Sequence, residues 1–225
     1  MGIDAWRLRA ADAVSPALER TRDSDGVLPP SIASADDWQA LQQQVAACMQ
    51  CELHRTRTQT VFGVGNRDAD WLIIGEAPGA EEDKRGEPFV GRAGQLLDAM
   101  LAAIGLDRTK AYIANILKCR PPDNRDPQAD EVACCEPYLQ RQIALIQPRI
   151  ILAVGRIAAQ NLLKTDRPLG RLRGRVHSYG AAQTPVIVTY HPAYLLRSPG
   201  DKRKAWEDLK MAVRHYRALQ TGVSS

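Results

Sequence analysis

Four short apolar runs, each followed by a turn and a helical stretch, restrict this chain to one broad class of fold. Trp71 to Ile74, Ala111 to Ile116, Arg149 to Val154 and Pro185 to Thr189 are nearly continuous in hydrophobic character. A strand that is apolar on both sides must be covered on both sides, which marks a parallel sheet rather than an antiparallel one with a wet face. Between the runs the periodicity changes. Gln95 to Ile104 sets Leu96, Leu97, Met100, Leu101 and Ile104 on one side and stops at Gly105. Gln128 to Ile146 is mostly helical, and Gly155 opens a helix through Leu162. A last helix, about residues 201 to 220, lines up Trp206, Leu209, Val213 and Tyr216. This alternation predicts an α/β fold, a three-layer α/β/α sandwich with a central four-stranded parallel sheet. Ligands of such sheets gather at the C-terminal ends of the strands. Gly75-Glu76, the residues after Asn115, Gly155 and Tyr190-His191 all fall there.

The chain of 225 residues, 44% hydrophobic, suffices for one full core, expected over residues 36–220. Residues 1–35 read as a variable or flexible extension: a short helix over Met1 to Arg22, then a linker from Ser24 to Ser34 broken at Pro29-Pro30. Ser34 or Asp36 caps a helix running through Trp38, Leu41 and Val45 to Cys48, and residues 221–225 form a flexible tail. The apolar runs are too short to cross a membrane, and no cleavable leader pattern opens the chain, so a cytoplasmic monomer is expected. The net charge of +4 is a weak pointer to nucleic acid. Its distribution says more: Arg167, Arg171, Arg173 and Arg175 form one basic block, and Lys202, Arg203 and Lys204 another. Such blocks follow a phosphate backbone or are simply solvated surface.

Cysteine usage points to a metal. Cys48-Met-Gln-Cys51 precedes the first apolar run, and Cys119, Cys134 and Cys135 follow the second. In a reducing compartment a Cys-x-x-Cys pair reads as metal-binding or redox-active rather than as a structural disulfide. A redox motif would stand at a strand-to-helix junction, whereas a glutamine-rich helical stretch precedes Cys48. Four thiolates can hold zinc or an iron–sulfur cluster. No second Cys-x-x-Cys knuckle is present for a zinc ribbon, and the long arc from Cys119 to Cys135 suits the larger cube of a 4Fe-4S cluster. The blander alternative makes some of these cysteines small buried hydrophobes.

The strand ends carry the candidate chemistry. Gly75-Glu76-Ala77-Pro78-Gly79 is a sharp turn whose glycines permit close backbone approach while Pro78 stiffens the loop. No Gly-Lys-Ser/Thr follows, so it is not a P-loop. Gly86-Glu87-Pro88-Phe89-Val90-Gly91 holds one of the chain's 2 phenylalanines, with flanking glycines that leave its ring accessible to a flat ligand such as a base. A buried anchor is the alternative. Asn115 closes the second strand. Its carboxamide offers donor and acceptor together, as reading a pyrimidine edge requires, although asparagine also caps turns. His191-Pro192 follows the fourth strand, where a neutral imidazole can hydrogen-bond to a developing anion.

In this order, Cys48-x-x-Cys51, Gly75 to Gly79, Pro88-Phe89-Val90-Gly91 with Ala93-Gly94, Asn115-x-x-x-Cys119-Arg120-Pro121-Pro122, Cys135 and His191-Pro192-Ala193 resemble the family 4 uracil-DNA glycosylases. That family is the iron–sulfur branch of the uracil-DNA glycosylase superfamily, and the match covers about residues 38 to 217. The resemblance implies a uracil-DNA glycosylase-like fold and hydrolysis of the N-glycosidic bond of deoxyuridine in DNA, leaving an abasic site. It implies a 4Fe-4S cluster on Cys48, Cys51, Cys119 and Cys135, with Cys134 a non-ligand, acting as a staple. It makes Glu76, Asn115 and His191 catalytic. Gly75, Ala77, Gly79, Glu82 and Phe89 join Asn115 and His191 around the base. One branch of the superfamily traps its abasic product through a histidine in the loop after the asparagine strand. This chain has Pro121-Pro122-Asp123-Asn124-Arg125 there, so turnover is expected. The commonest family carries an aspartate where Ala77 stands and a thymine-excluding tyrosine where Gly79 stands. Glu76 is then the nearest carboxylate, and Glu82 the candidate to fill the space over Gly79.

The resemblance also places an apolar wedge near Leu195, or Leu196 one register on, with Arg171, Arg173, Arg175 and Arg197 on the flanking phosphates and Lys202 and Arg203 as weaker candidates. The partner is uracil-containing DNA, single- or double-stranded, with no membrane. The rival reading is a non-catalytic iron–sulfur module that recognises damaged or single-stranded DNA and is indifferent to loss of Glu76 and His191. A small electron-transfer protein using the same cysteines is a further rival, with no use for the polar strand ends.

Overall fold

In the computed structural model, which describes residues 35–221, the apolar runs become strands because helices cover both of their faces. In chain order the elements are α1 (Ala35–Ala46), β1 (Val64–Gly65), β2 (Trp71–Gly75), α2 (Ala80–Arg85), α3 (Arg92–Ala102), β3 (Ala111–Asn115), α4 (Ala129–Ile146), β4 (Ile150–Val154), α5 (Arg156–Leu163), α6 (Leu169–Leu172), β5 (Val176–Tyr179), β6 (Thr184–Thr189), α7 (Pro192–Arg197) and α8 (Lys202–Thr221). The N-terminal helix and linker expected over Met1 to Ser34, and the tail beyond Thr221, lie outside the described residues.

The sheet runs β1-β3-β2-β4-β6-β5. Its centre, β3-β2-β4-β6, is parallel and consists of the expected strands. The structure adds β1, antiparallel to β3, and β5, antiparallel to β6, at the two edges. Neither edge strand has a continuous apolar run, because each is only partly buried. Alternate side chains of the centre feed two cores. Leu72, Ile74, Tyr112, Ala114, Ile151 and Ala153 meet α1, α4 and α5 through Trp38, Leu41, Leu139, Ile143, Ala158 and Leu162. Trp71, Ile73, Ile113, Ile150, Leu152 and Ile187 meet α3, α7 and α8 through Leu97, Leu101, Leu195, Ala205, Leu209 and Ala212. The result is the three-layer α/β/α sandwich.

Side chains also tie the layers together. Trp38 meets Phe62 and Tyr112 edge-on, at ring-centroid distances of 5.3 and 5.2 Å, a geometry aromatic pairs favour. Asp83 in α2 is buried and accepts the Thr58 N–H through both carboxylate oxygens, strapping the preceding loop down. In α8 the inward face is Ala205, Asp208, Leu209 and Ala212. Trp206, expected on that face, is 39% exposed, because the helical period that turns Leu209 inward leaves its third neighbour back at the margin.

Arg173 reaches across to α8. Its Nε donates to Asp208 Oδ2 at 2.7 Å and its Nη2 to the Lys204 carbonyl at 2.7 Å, while the guanidinium lies over Tyr190 at 4.2 Å. Burial pushes the Asp208 carboxyl up and Arg173 pulls it back down. Removing the guanidinium would leave a buried carboxylate without its ion-pair partner. Arg173→Met should therefore lower unfolding free energy by about 3 kcal/mol, read from urea denaturation; a loss below half that figure would mean that Arg173 is not the partner on which Asp208 depends.

Candidate active site

β2 and β3 end level, so Gly75 and Asn115 are register partners. A Cβ built on Gly75 would stand 2.5 Å from Asn115 Oδ1 and 2.5 Å from Phe89 Cζ. The missing side chain is the space that the amide and the ring share. Asn115 is buried, and its Oδ1 has no hydrogen-bond partner among the described residues. Buried oxygens are ordinarily paired, so an orphan at a cavity wall marks a place where a donor is wanted.

The backbone beneath Asn115 is fixed by hydrogen bonds. Ile116 N–H donates to the Gly75 carbonyl and Leu117 N–H to the Glu76 carbonyl, each at 3.0 Å, locking the two strand-end turns together. Lys118, fully buried, donates to the Asn115 carbonyl at 2.9 Å and to Gln142 Oε1 at 2.6 Å. Gln142 Nε2 donates in turn to the Phe62 carbonyl at 2.9 Å. Sequence reading overlooked Lys118 and Gln142. The available signal was a lone lysine inside the otherwise apolar stretch Ile116 to Cys119.

Phe89 is buried, as the anchor alternative had it, and sits at φ 55° with its ring 5.7 Å from His191 at an interplanar angle of 32°. Glu82 anchors the same loop: Oε1 accepts the N–H groups of Val90 at 2.8 Å and Gly91 at 2.9 Å. Its Oε2 lies 2.7 Å from where a Gly79 Cβ would be, so the carboxylate occupies the space over that glycine.

His191 caps α7 by accepting the Ala193 N–H at Nδ1, 3.2 Å away. The proton of the neutral ring then resides on Nε2. Burial and the nearby Arg197 hold its pKa down to about 4, so the ring is neutral at physiological pH. Glu76 behaves oppositely. Burial, then the charge of Asp126, push its carboxyl up to about 7, with Arg156 opposing. Asp126 itself is paired to Arg156 at 2.5 Å.

These groups enclose one cavity of about 430 Å³. Glu76, Ala77, Gly79, Glu82, Phe89, Asn115, His191 and Arg197 all line it, and Arg125 and Asp126 form part of the wall without having been expected there. Other expectations do not meet at this cavity. Leu195 is 1% exposed and belongs to the core beneath α7, whereas Leu196 is 37% exposed. Arg173 is engaged with Asp208, while Arg171 and Arg175 are exposed on either side of it.

The cysteine expectation is corrected. Cys51 lies near enough to Cys48, Cys119 and Cys134 to feel their charge. Yet among the described residues no group of three or more His, Cys, Asp or Glu side chains is arranged to hold a metal ion. This overturns the 4Fe-4S cluster expected on Cys48, Cys51, Cys119 and Cys135, and with it the iron–sulfur part of the family resemblance. Cys119 Sγ accepts a hydrogen bond from Arg57 at 3.1 Å, and Cys134 Sγ donates to the Gln50 carbonyl. Burial raises the Cys51 and Cys119 thiols and takes Cys135 up to about 12. The Asn115 turn rests on Lys118 and, through it, on Gln142.

A model of the uracil DNA glycosylase superfamily matches residues 62–210. The type-4 uracil-DNA glycosylase of Archaeoglobus fulgidus is 45% identical over 174 residues, covering 75% of this chain and 87% of that protein. The type-4 uracil-DNA glycosylase of Thermotoga maritima is 41% identical over 173 residues, covering 76% and 90%. A type-5 uracil-DNA glycosylase of Pyrobaculum aerophilum is more distant, 30% identical over 146 residues, covering 58% of this chain and 64% of its own length. The chain therefore belongs to the uracil-DNA glycosylase superfamily and, within it, to the type-4 uracil-DNA glycosylases.

Proposed function

We infer that the chain is a uracil-DNA glycosylase, an enzyme that hydrolyses the N-glycosidic bond of deoxyuridine in DNA, releases free uracil and leaves an abasic site. The observation that carries this reading is the orphan Oδ1 of Asn115, buried beside the Phe89 ring in the cavity that also holds His191 and Glu76. A module that only binds DNA has no need of a neutral histidine and a buried carboxylate in one cavity. The substrate is uracil-containing DNA, single- or double-stranded, acted on by a monomer. Among the described residues no helix is long and apolar enough to cross a membrane, and the free cysteines are compatible with a reducing cytoplasm.

The deoxyuridine flips out of the stack, at a cost of a few kcal/mol, and its base enters the cavity. Phe89 stacks on the ring. Asn115 Oδ1 accepts the N3–H of uracil while its amide N–H reaches O4; cytosine presents the reverse pattern and is rejected. As the C1′–N1 bond lengthens, positive charge grows on the sugar and negative charge on the base. His191 donates Nε2–H to uracil O2, stabilising the leaving anion without giving up a charge of its own. Glu76, ionised, stabilises the cationic sugar or positions the attacking water. Glu82, over Gly79, crowds the position where thymine carries its methyl group. Arg171, Arg175 and Arg197 hold phosphates, with Lys202 and Arg203 further out, and Leu196, exposed next to the cavity wall, is the wedge that fills the gap left by the base.

Substitutions at the base edge test this assignment first. Asn115→Ala and His191→Ala should each slow single-turnover uracil excision by about a hundredfold or more, with much smaller loss of DNA affinity; parental rates in either variant would remove that residue from the chemistry. Asn115→Asp should be as damaging as Asn115→Ala, since an ionised carboxylate offers no donor to O4.

The pH profile follows from Glu76. If its carboxylate is the active form, the single-turnover rate should rise with pH to a plateau above about 7. His191, titrating at about 4, contributes nothing to that limb. Glu76→Gln should flatten the profile, and an unchanged limb would assign it to another group. Stability should move the other way. Between the ordinary carboxyl value of 4.5 and about 7 the folded state holds a proton that the unfolded state has lost, so this group's contribution to stability falls as pH rises through that window. Glu76→Gln should accordingly melt higher than the parent at pH 8.

The two leucines separate wedge from core. Leu195→Ala should cost about 2–5 kcal/mol of stability. Leu196→Ala should leave stability intact and slow excision from duplex more than from single-stranded DNA, where less stacking is broken. Equal losses on both substrates would remove Leu196 from that role.

A further inference from the structure

We propose that Arg108, outside every motif in the sequence and outside the cavity wall, is a positioning residue that sets the Phe89 ring against the bound base. Phe89 stands at φ 55°, where residues with a side chain are uncommon. That conformation is held from both sides. Glu82 takes the N–H groups of Val90 and Gly91 on the cavity side. On the far side Gly94 gives room, since a Cβ there would stand 1.7 Å from the Phe89 carbonyl oxygen. Arg108 supplies the directed contacts: Nη1 donates to the Pro88 carbonyl at 3.0 Å and Nη2 to the Phe89 carbonyl. Its Nε donates to Asp98 Oδ1 at 2.8 Å, which fixes the plane of the guanidinium.

The loop that presents Arg108 is itself set by Asp107, whose Oδ1 accepts the Thr109 N–H at 2.8 Å. A planar fork can bridge successive carbonyls and a carboxylate together, and an ammonium cannot. The Arg108 and Asp98 side chains are 27% and 48% exposed, so the ion pair itself adds little to global stability. Its consequence is geometric. The carbonyls it holds belong to Phe89 and the residue before it, and the Phe89 ring meets both the Gly75 backbone and His191; small misplacements of such a ring are costly to rate.

This inference rests on the reading that Phe89 stacks on the uracil. The test is single-turnover excision, together with inhibition by free uracil, for Arg108→Met, Arg108→Lys, Asp98→Asn, Phe89→Ala and the Phe89→Ala/Arg108→Met pair. Arg108→Met should slow excision about tenfold or more and weaken inhibition by uracil, with a melting temperature near the parent's. Arg108→Lys and Asp98→Asn should lose part of the rate. In the Phe89→Ala background Arg108→Met should cost nothing further, because the ring through which it acts is gone. Parental rate and uracil inhibition in Arg108→Met overturn the proposal, as does an undiminished loss in the Phe89→Ala background. A Phe89→Ala enzyme at parental rate would sink the stacking reading and this inference with it; a slow Phe89→Ala beside a fast Arg108→Met sinks this inference alone. If Arg108→Met fails to fold, Arg108→Lys and Asp98→Asn take its place in the cycle with Phe89→Ala: a partial loss that vanishes in the Phe89→Ala background supports the proposal, and a parental rate or an undiminished loss overturns it.

Discussion

The absence of a side chain at Gly75 is the constraint on which the rest of the site depends. Two parallel strands end level there, and a Cβ on Gly75 would collide with the Asn115 amide and the Phe89 ring. Because Gly75 has none, the Asn115 amide and the tip of the Phe89 ring occupy the vacated volume. A second glycine repeats the device on the far side: a Cβ on Gly155 would stand 3.0 Å from His191 Cβ, and its φ of 100° suits no other residue well. The polar groups are thus brought together by subtraction, with the sheet register fixing how far apart the remaining side chains stand.

The same enclosure that shapes the cavity tunes its titrating groups in opposite directions. Burial disfavours whichever form is charged, so it keeps His191 neutral and pushes Glu76 toward the protonated state. A neutral imidazole with its proton fixed on Nε2 is suited to meeting a growing negative charge. A carboxylate poised near neutrality is costly to ionise in the ground state and best compensated when a cation forms beside it. Asp126 and Arg156, paired at 2.5 Å, push Glu76 in opposing senses on top of the larger effect of burial.

Much of this was legible from residues alone, for identifiable reasons. Trp71 to Ile74 and Arg149 to Val154 read as buried strands because parallel strands covered on both faces leave no polar alternation. The strand-end turns read as a site because Gly75, Asn115 and His191 are residue types that turns at these positions do not need all at once. The edge strands β1 and β5 were invisible because half-exposed strands of two and four residues carry no period. Trp206 was misassigned because apolar character at one position cannot distinguish the centre of a helix face from its margin. Arg173 read as a phosphate ligand because sequence shows a basic block but not the buried Asp208, 35 positions away, that engages one of its members. The cysteines read as a metal centre because spacing reports which sulfurs can approach one another. Whether they present thiolates in a ligating geometry depends on burial and on partners such as Arg57.

The Asn115 turn, which carries a buried amide at the cavity wall, is held from the core side. The anchor is a buried lysine. Lys118 donates to the Asn115 carbonyl and to Gln142, and Gln142 donates to Phe62, so one unbroken chain of hydrogen bonds runs from the strand end into the core. Such a network costs desolvation of an amine that burial draws down to about 7, and an apolar residue would avoid that cost. An apolar residue would also leave the Asn115 carbonyl without the donor that fixes it. The end of β3 is therefore held by a polar core contact that packing alone would not favour.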